Sequence, residues 1–155
     1  MDQNTRSTDL PTILVINGPN LNLLGRREPH KYGTTSYQKL KEDLIQTGIK
    51  WGYHVECKQS NHEGELLDWI HQAQDRCVGL IINPGAYGHT SIALRDALAA
   101  VELPAIEVHI TQTAKRESFR HHTYLSEIVL GTLTGFGVYG YHLAVQALHH
   151  TLSHH

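Results

Sequence analysis

The chain has 155 residues, 40% of them apolar and 18% charged, with a formal net charge of −2. That length can bury a sizeable core in one domain, and the charge balance leaves no basic footprint for nucleic acid or anionic membrane. No apolar run approaches the roughly 20 residues of a spanning helix. Two cysteines without a C-x-x-C pair, Cys57 and Cys77, read as reduced thiols of a cytoplasmic protein.

The opening MDQNTRSTDLP is polar and lacks a signal-type apolar segment, so residues 1–11 are expected to be a disordered lead-in. TILVIN (12–17) is a short apolar run closed by a turn signal, hence a buried strand. SYQKLKEDLIQTGIKWG puts Tyr37, Leu40, Leu44 and Ile45 on one helical face, and Thr35-x-x-Gln38 resembles a capping box at its start. YHVECKQS (53–60) alternates as a strand does. ELLDWIHQAQ (65–74) is helical, with Asn61 as an upstream cap. VGLIIN (78–83) is a second buried strand, and TSIALRDALAAV (90–101) is a helix opened by Thr90 or Ser91. PAIEVHI (104–110) is a strand whose proline fits only at its first residue. IVLGTLT (128–134) is a weaker strand, and YHLAVQALHHTL (141–152) a closing helix. The alternation predicts one α/β domain over 12–152, with 153–155 as a tail. Its form is a three-layer, doubly wound, five-stranded parallel sheet of flavodoxin-like order.

In such sheets the chemistry lies beyond the carboxyl ends of the strands. The first strand runs into NGPNLNLLGRREPHKYG, the third into NPGAYGHTS, and the fourth ends in EVHIT and continues into QTAKRESFR. Asparagines, histidines, a tyrosine, arginines and a glutamate therefore converge on one edge. A second motif is a decoy. Gly135, Gly137 and Gly140 have the spacing of a dinucleotide-binding loop. That motif needs a following strand and an acidic residue about 20 positions on, and only 15 residues follow Gly140. Close packing of the last helix on the sheet is the better reading. The histidines of the terminal HHTLSHH, with His121, His122 and His142, are set aside as surface or helix-face residues.

INGPNLNLLG, REPHKYG, INPGAYGHTS, ALRDAL, PAIEVHI and RESFRHHTYLS, in that order over residues 12 to 148, resemble the type II 3-dehydroquinate dehydratases. The resemblance implies a flavodoxin-like subunit in a dodecamer of four trimers. It implies loss of water from 3-dehydroquinate to give 3-dehydroshikimate, with no metal or organic cofactor. The reaction serves aromatic biosynthesis in the shikimate pathway, and alternatively quinate breakdown.

The residue chemistry fits that reaction. Elimination from a β-hydroxy ketone needs a base, an enolate stabiliser and an acid. A free tyrosine ionises near pH 10. A cation at 4 Å is worth about 4 kcal/mol at an effective dielectric of 20, or roughly three pKa units. Arg27 is therefore expected to ionise Tyr32 as the base, on a segment mobile enough to close over the substrate. Glu107 and His109, two apart on a strand, face the same way. The carboxylate should fix the imidazole's tautomer and favour its charged form, which makes His109 the acid. Asn20 can orient a water against the enolate oxygen.

The resemblance further puts Asn83 and the backbone amides of Ile110 and Thr111 on the substrate carboxylate, and His89 and Arg120 on the ring hydroxyls. Asp96 would reach in from a neighbouring subunit, and Arg116 would join the lid. Three positions depart from the family pattern. Gly88 stands where threonine is usual, Thr111-Gln112 replaces serine-asparagine, and Ala114 replaces a histidine. None is a proton-transfer residue.

Two rival readings are a Schiff-base dehydratase and a flavin- or receiver-type binding module. The first needs a lysine at a strand end, and none of the six lysines has that place. The second lacks its acidic cluster or its phosphate-binding serines and threonines after the first strand.

Overall fold

The computed structural model describes residues 9–154. A parallel sheet of five strands runs β1 (Thr12–Asn17), β2 (His54–Gln59), β3 (Gly79–Asn83), β4 (Ala105–His109) and β5 (Gly131–Thr134). Its spatial order is β2-β1-β3-β4-β5, the flavodoxin-like order. Five α-helices join it: α1 (Pro29–Tyr32), α2 (Tyr37–Trp51), α3 (Glu63–Ala73), α4 (Ile92–Ala100) and α5 (Tyr139–Ser153).

The two-residue period of a strand divides the core. Ile13, Val15, Ile81, Ile106 and Val108 face α2 and α5, where Leu44, Tyr141 and Leu148 are fully buried. Leu14, Ile16, Leu80, Ile82 and Ala105 face α3 and α4, against Leu66, Ile70 and Leu94. Both faces of β3 and β4 are covered along their whole length, as continuous apolar runs in a parallel sheet require. Fully burying one such side chain contributes about 1.5–3 kcal/mol, so these two layers hold the strand ends in place.

Several expected details differ. The cap of α2 is Ser36, whose hydroxyl accepts from Lys39 N, while Gln38 donates to Glu42 rather than closing a capping box with Thr35. Along α2 the buried stripe is Leu40, Leu44 and Gly48 at four-residue spacing; Ile45 lies a quarter-turn round and is 37% exposed. Asn61 does not cap α3. Its Oδ1 accepts from Asn20 N, and His62 N is satisfied by Ser60 Oγ. The last strand is only four residues long, because Ile128 and Val129 turn back to hydrogen-bond Leu125 O. The lead-in expected over 1–11 lies mostly outside the described residues, and α5 runs to Ser153, one residue beyond the expected end. The glycine decoy resolves as packing and turns. A Cβ on Gly140 would touch Val108 Cγ1 at 3.4 Å, and Gly135 and Gly137 have positive φ.

Candidate active site

The strand ends deliver the polar groups. β1 and β3 are paired so that Asn17 and Asn83, the last residue of each, are register partners. The loops leaving them are pressed together, with Gly18 N donating to Asn83 O at 2.8 Å. A Cβ on Gly18 would lie 2.3 Å from Pro84 O, so only glycine fits. A cleft of about 140 Å³ opens above this point. Asn20 and Arg27 enter it from the segment after β1, Asn83 and His89 from the end of β3, and His109, Ile110 and Thr111 from the end of β4. Tyr32, Arg116 and Arg120 close it. Tyr32, Ile110, Thr111 and Arg116 also border a larger open groove of about 880 Å³.

The β4 corner is built from the inside. Glu107 is fully buried and His109 is 6% exposed. Both share the face of Ala105, on the α3–α4 side. His109 Nε2 meets Glu107 Oε2 at 2.5 Å, which leaves Nδ1 as the ring nitrogen for the cleft. Glu107 Oε1 accepts from Thr123 Oγ1 at 3.1 Å and from Ser126 Oγ at 3.0 Å. Burial opposes ionisation of Glu107, but the His109 contact and the two hydroxyls outweigh it and hold the carboxyl below the ordinary glutamate range. The ring of His89 stacks on His109 with centroids 6.2 Å apart. His89 Nδ1–H donates to His122 O at 2.8 Å, which fixes its tautomer. Burial lowers its pKa from the ordinary histidine value, and the contact with His122 only partly offsets this.

The Tyr32 side is looser. Tyr32 ends the four-residue helix α1, which Pro29 opens. Among the described residues, the two non-glycine residues with positive φ are Asn20 (70°) and Glu28 (41°), both in this segment. Such backbone collects at functional sites. Arg27, expected as the cation at the phenol, lies instead over the ring, with Cζ 5.5 Å from its centroid. The hydrogen bond to Tyr32 Oη comes from Arg116 Nη1 at 2.8 Å, and the same nitrogen also reaches Thr111 Oγ1 at 3.3 Å. Sequence proximity favoured Arg27; the chain brings Arg116 in from 84 residues away.

Arg120 lines the cleft while its Nε donates to Glu117 at 2.8 Å. Asp96 lies outside the cleft of its own chain, exposed on α4. Gly88 packs tightly, since a Cβ there would fall 2.8 Å from Pro84 Cγ. Sequence reasoning missed Thr123 and Ser126 beneath Glu107. Their Thr-x-x-Ser spacing, with Ser126 N donating to Thr123 Oγ1, was a readable local signal. It also missed Asn17 and Tyr141, which carry no local signal.

The family model described as Dehydroquinase class II matches residues 11–149. The 3-dehydroquinate dehydratase 2 of Pseudomonas aeruginosa is 53% identical over 135 residues, covering 87% of this chain and 91% of that protein. The catabolic 3-dehydroquinase 2 of Aspergillus flavus is 54% identical over 137 residues, covering 88% and 91%. The crystal structure of the type II dehydroquinase from Propionibacterium acnes superposes with a TM-score of 0.87 at 48% identity, over 90% of this chain and 96% of that one. With a flavodoxin-like sheet and its polar cleft at the strand ends, the chain is an α/β lyase. It belongs to the class II dehydroquinase family.

Proposed function

We propose that the cleft dehydrates 3-dehydroquinate with Tyr32 as base and His109 as acid. Tyr32 Oη takes the proton beside the ketone, and the electron pair moves onto the carbonyl oxygen. Arg116, in contact with Oη, stabilises negative charge on the phenol oxygen. Asn20 orients a water at the enolate oxygen. The pair then returns to form the carbon–carbon double bond as the β-hydroxyl leaves, protonated by His109 through Nδ1. Glu107 holds Nε2 and stabilises the imidazolium. Asn83 and the amides of Ile110 and Thr111 take the carboxylate, and His89 and Arg120 the ring hydroxyls. The observation that carries this reading is the pairing, in one cleft, of a guanidinium-bound phenol with a carboxylate-bound imidazole.

The experiment is His109→Ala in deuterated water. The variant is expected to exchange the proton beside the ketone slowly while forming no enone, because Tyr32 and Asn20 remain. Elimination at a near-normal rate would move the acid elsewhere, with His89 next in line. Loss of exchange together with elimination would make acid and base one concerted unit.

The assembly belongs to the same proposal. Asp96 is one helical turn from Ile92, which is 56% exposed on α4. This supports a trimer contact that carries Asp96 into a neighbour's cleft, with four trimers forming a dodecamer. Activity should then fall as light scattering reports trimer dissociation in mild denaturant; full activity in a verified monomer would sink the shared site. A cytoplasmic location is supported by Cys57 and Cys77, both unpaired. Burial pushes the Cys57 thiol up to about 12 and also raises Cys77, which suits reduced, unreactive thiols.

A further inference from the structure

A chain of buried hydrogen bonds lies under the cleft floor, and no proton-transfer residue takes part in it. Tyr141, on α5, is fully buried. Its hydroxyl sits between the asparagines that end β1 and β3, donating to Asn17 Oδ1 at 2.7 Å and accepting from Asn83 Nδ2 at 2.9 Å. Each end of the chain is tied to a backbone group that can act in only one sense. Asn17 Nδ2 donates to Lys58 O at 3.3 Å, and a carbonyl can only accept. Asn83 Oδ1 accepts from Gly85 N at 3.1 Å, and an amide N–H can only donate. The order of donors and acceptors is therefore determined from end to end. Asn17 must turn its oxygen to the phenol, the phenol must donate to it, and Asn83 must turn its nitrogen to the phenol. Burial pushes the Tyr141 hydroxyl above the ordinary tyrosine value, so it keeps the proton it donates.

The consequence falls on Asn83, which is 3% exposed and lines the cleft. Its Oδ1 is committed to Gly85 and one Nδ2 hydrogen to Tyr141. The uncommitted donor is the second Nδ2 hydrogen. A donor, and not an acceptor, is what a carboxylate requires.

We propose that Tyr141 is a positioning residue for substrate binding: through the Asn17–Tyr141–Asn83 chain it holds the Asn83 amide with its nitrogen available to the substrate carboxylate. The proposal rests on the reading that Asn83 binds that carboxylate.

The test is steady-state kinetics with 3-dehydroquinate on Tyr141→Phe, Asn83→Ala and their double variant. Asn83→Ala tests the underlying reading, and an unchanged KM in that variant would remove Asn83 from substrate binding. With that reading in place, Tyr141→Phe should raise KM roughly fivefold, the size of one neutral hydrogen bond, with kcat within about twofold, as for a loss of uniform binding. In the Asn83→Ala background the same change should add nothing to KM, because Tyr141 acts through Asn83.

An unaltered KM in Tyr141→Phe, or an effect that persists in full without the Asn83 amide, overturns the proposal. Asn17→Ala is the second arm if Tyr141→Phe does not fold. It releases the far end and lets the phenol turn its proton toward Asn83, so KM should rise about twofold or more. No rise there overturns the proposal equally.

Discussion

Glu107 and His109 stand on β4, where every residue from Ala105 to His109 is buried and packed on both faces. Arg27 and Tyr32 stand on the segment after β1, where Glu28 is held at φ 41° and no residue of α1 is buried. The first pair is fixed by three hydrogen bonds, joining Glu107 to His109, Thr123 and Ser126, and by the ring of His89. The phenol hydroxyl has a single side-chain hydrogen bond, from Arg116, with Arg27 over the ring. The contrast indicates a division of labour. The proposed acid is preorganised on the buried sheet, and the proposed base sits on a segment with few buried contacts, the kind from which lids are drawn.

The largest expected effect is at Tyr32. Tyr32→Phe should lower kcat at least about a hundredfold, the lower range for a general base, with KM within about threefold, followed by absorbance of the enone product. Retention of more than a tenth of kcat, roughly 1.4 kcal/mol of barrier, would remove Tyr32 as the base.

Arg116→Ala comes next. It removes a charge-assisted bond worth about 1.5–3 kcal/mol, so kcat should fall tenfold to hundredfold. A change within twofold would mean that the loose side does not depend on that cation.

Glu107→Gln probes the rigid side and should lower kcat about tenfold, since a neutral hydrogen-bonded group still holds the ring but no longer stabilises its cation. It should also change the acid limb of stability. The folded-state pKa of Glu107 is depressed, so its contribution is present above the ordinary glutamate value near 4.3. That contribution is lost as pH falls through the lower folded value. Thermal melts between about pH 5 and 3 should therefore fall less steeply in Glu107→Gln than in the parent chain, and parallel curves would contradict the linkage.

The smallest effect belongs to Arg27→Ala. A cation over an aromatic face is worth about 0.5–1 kcal/mol at an exposed site, which corresponds to two- to fivefold in kcat/KM. A loss as large as that of Arg116→Ala would restore Arg27 as the main cation of the base.

Much of this molecule is legible along the chain. TILVIN, GLIIN and AIEVH are apolar runs too short for helices and too continuous for an exposed sheet, so they mark β1, β3 and β4. Their spacing by helical segments gives the parallel order. The period of two places Glu107 and His109 on one face. These properties are local, set by side-chain periodicity and backbone sterics over a few residues.

The partners are another matter. Nothing near Tyr32 in the sequence announces that Arg116, 84 residues on, will reach its hydroxyl ahead of Arg27. Nothing in the apolar face of α5 tells Tyr141 from any core aromatic until Asn17, 124 positions away, is brought against it. Which cation meets the phenol, and which way the Asn83 amide turns, depend on distances between elements. Those are set only when the two core layers pack and the ends of β1, β3 and β4 come into register.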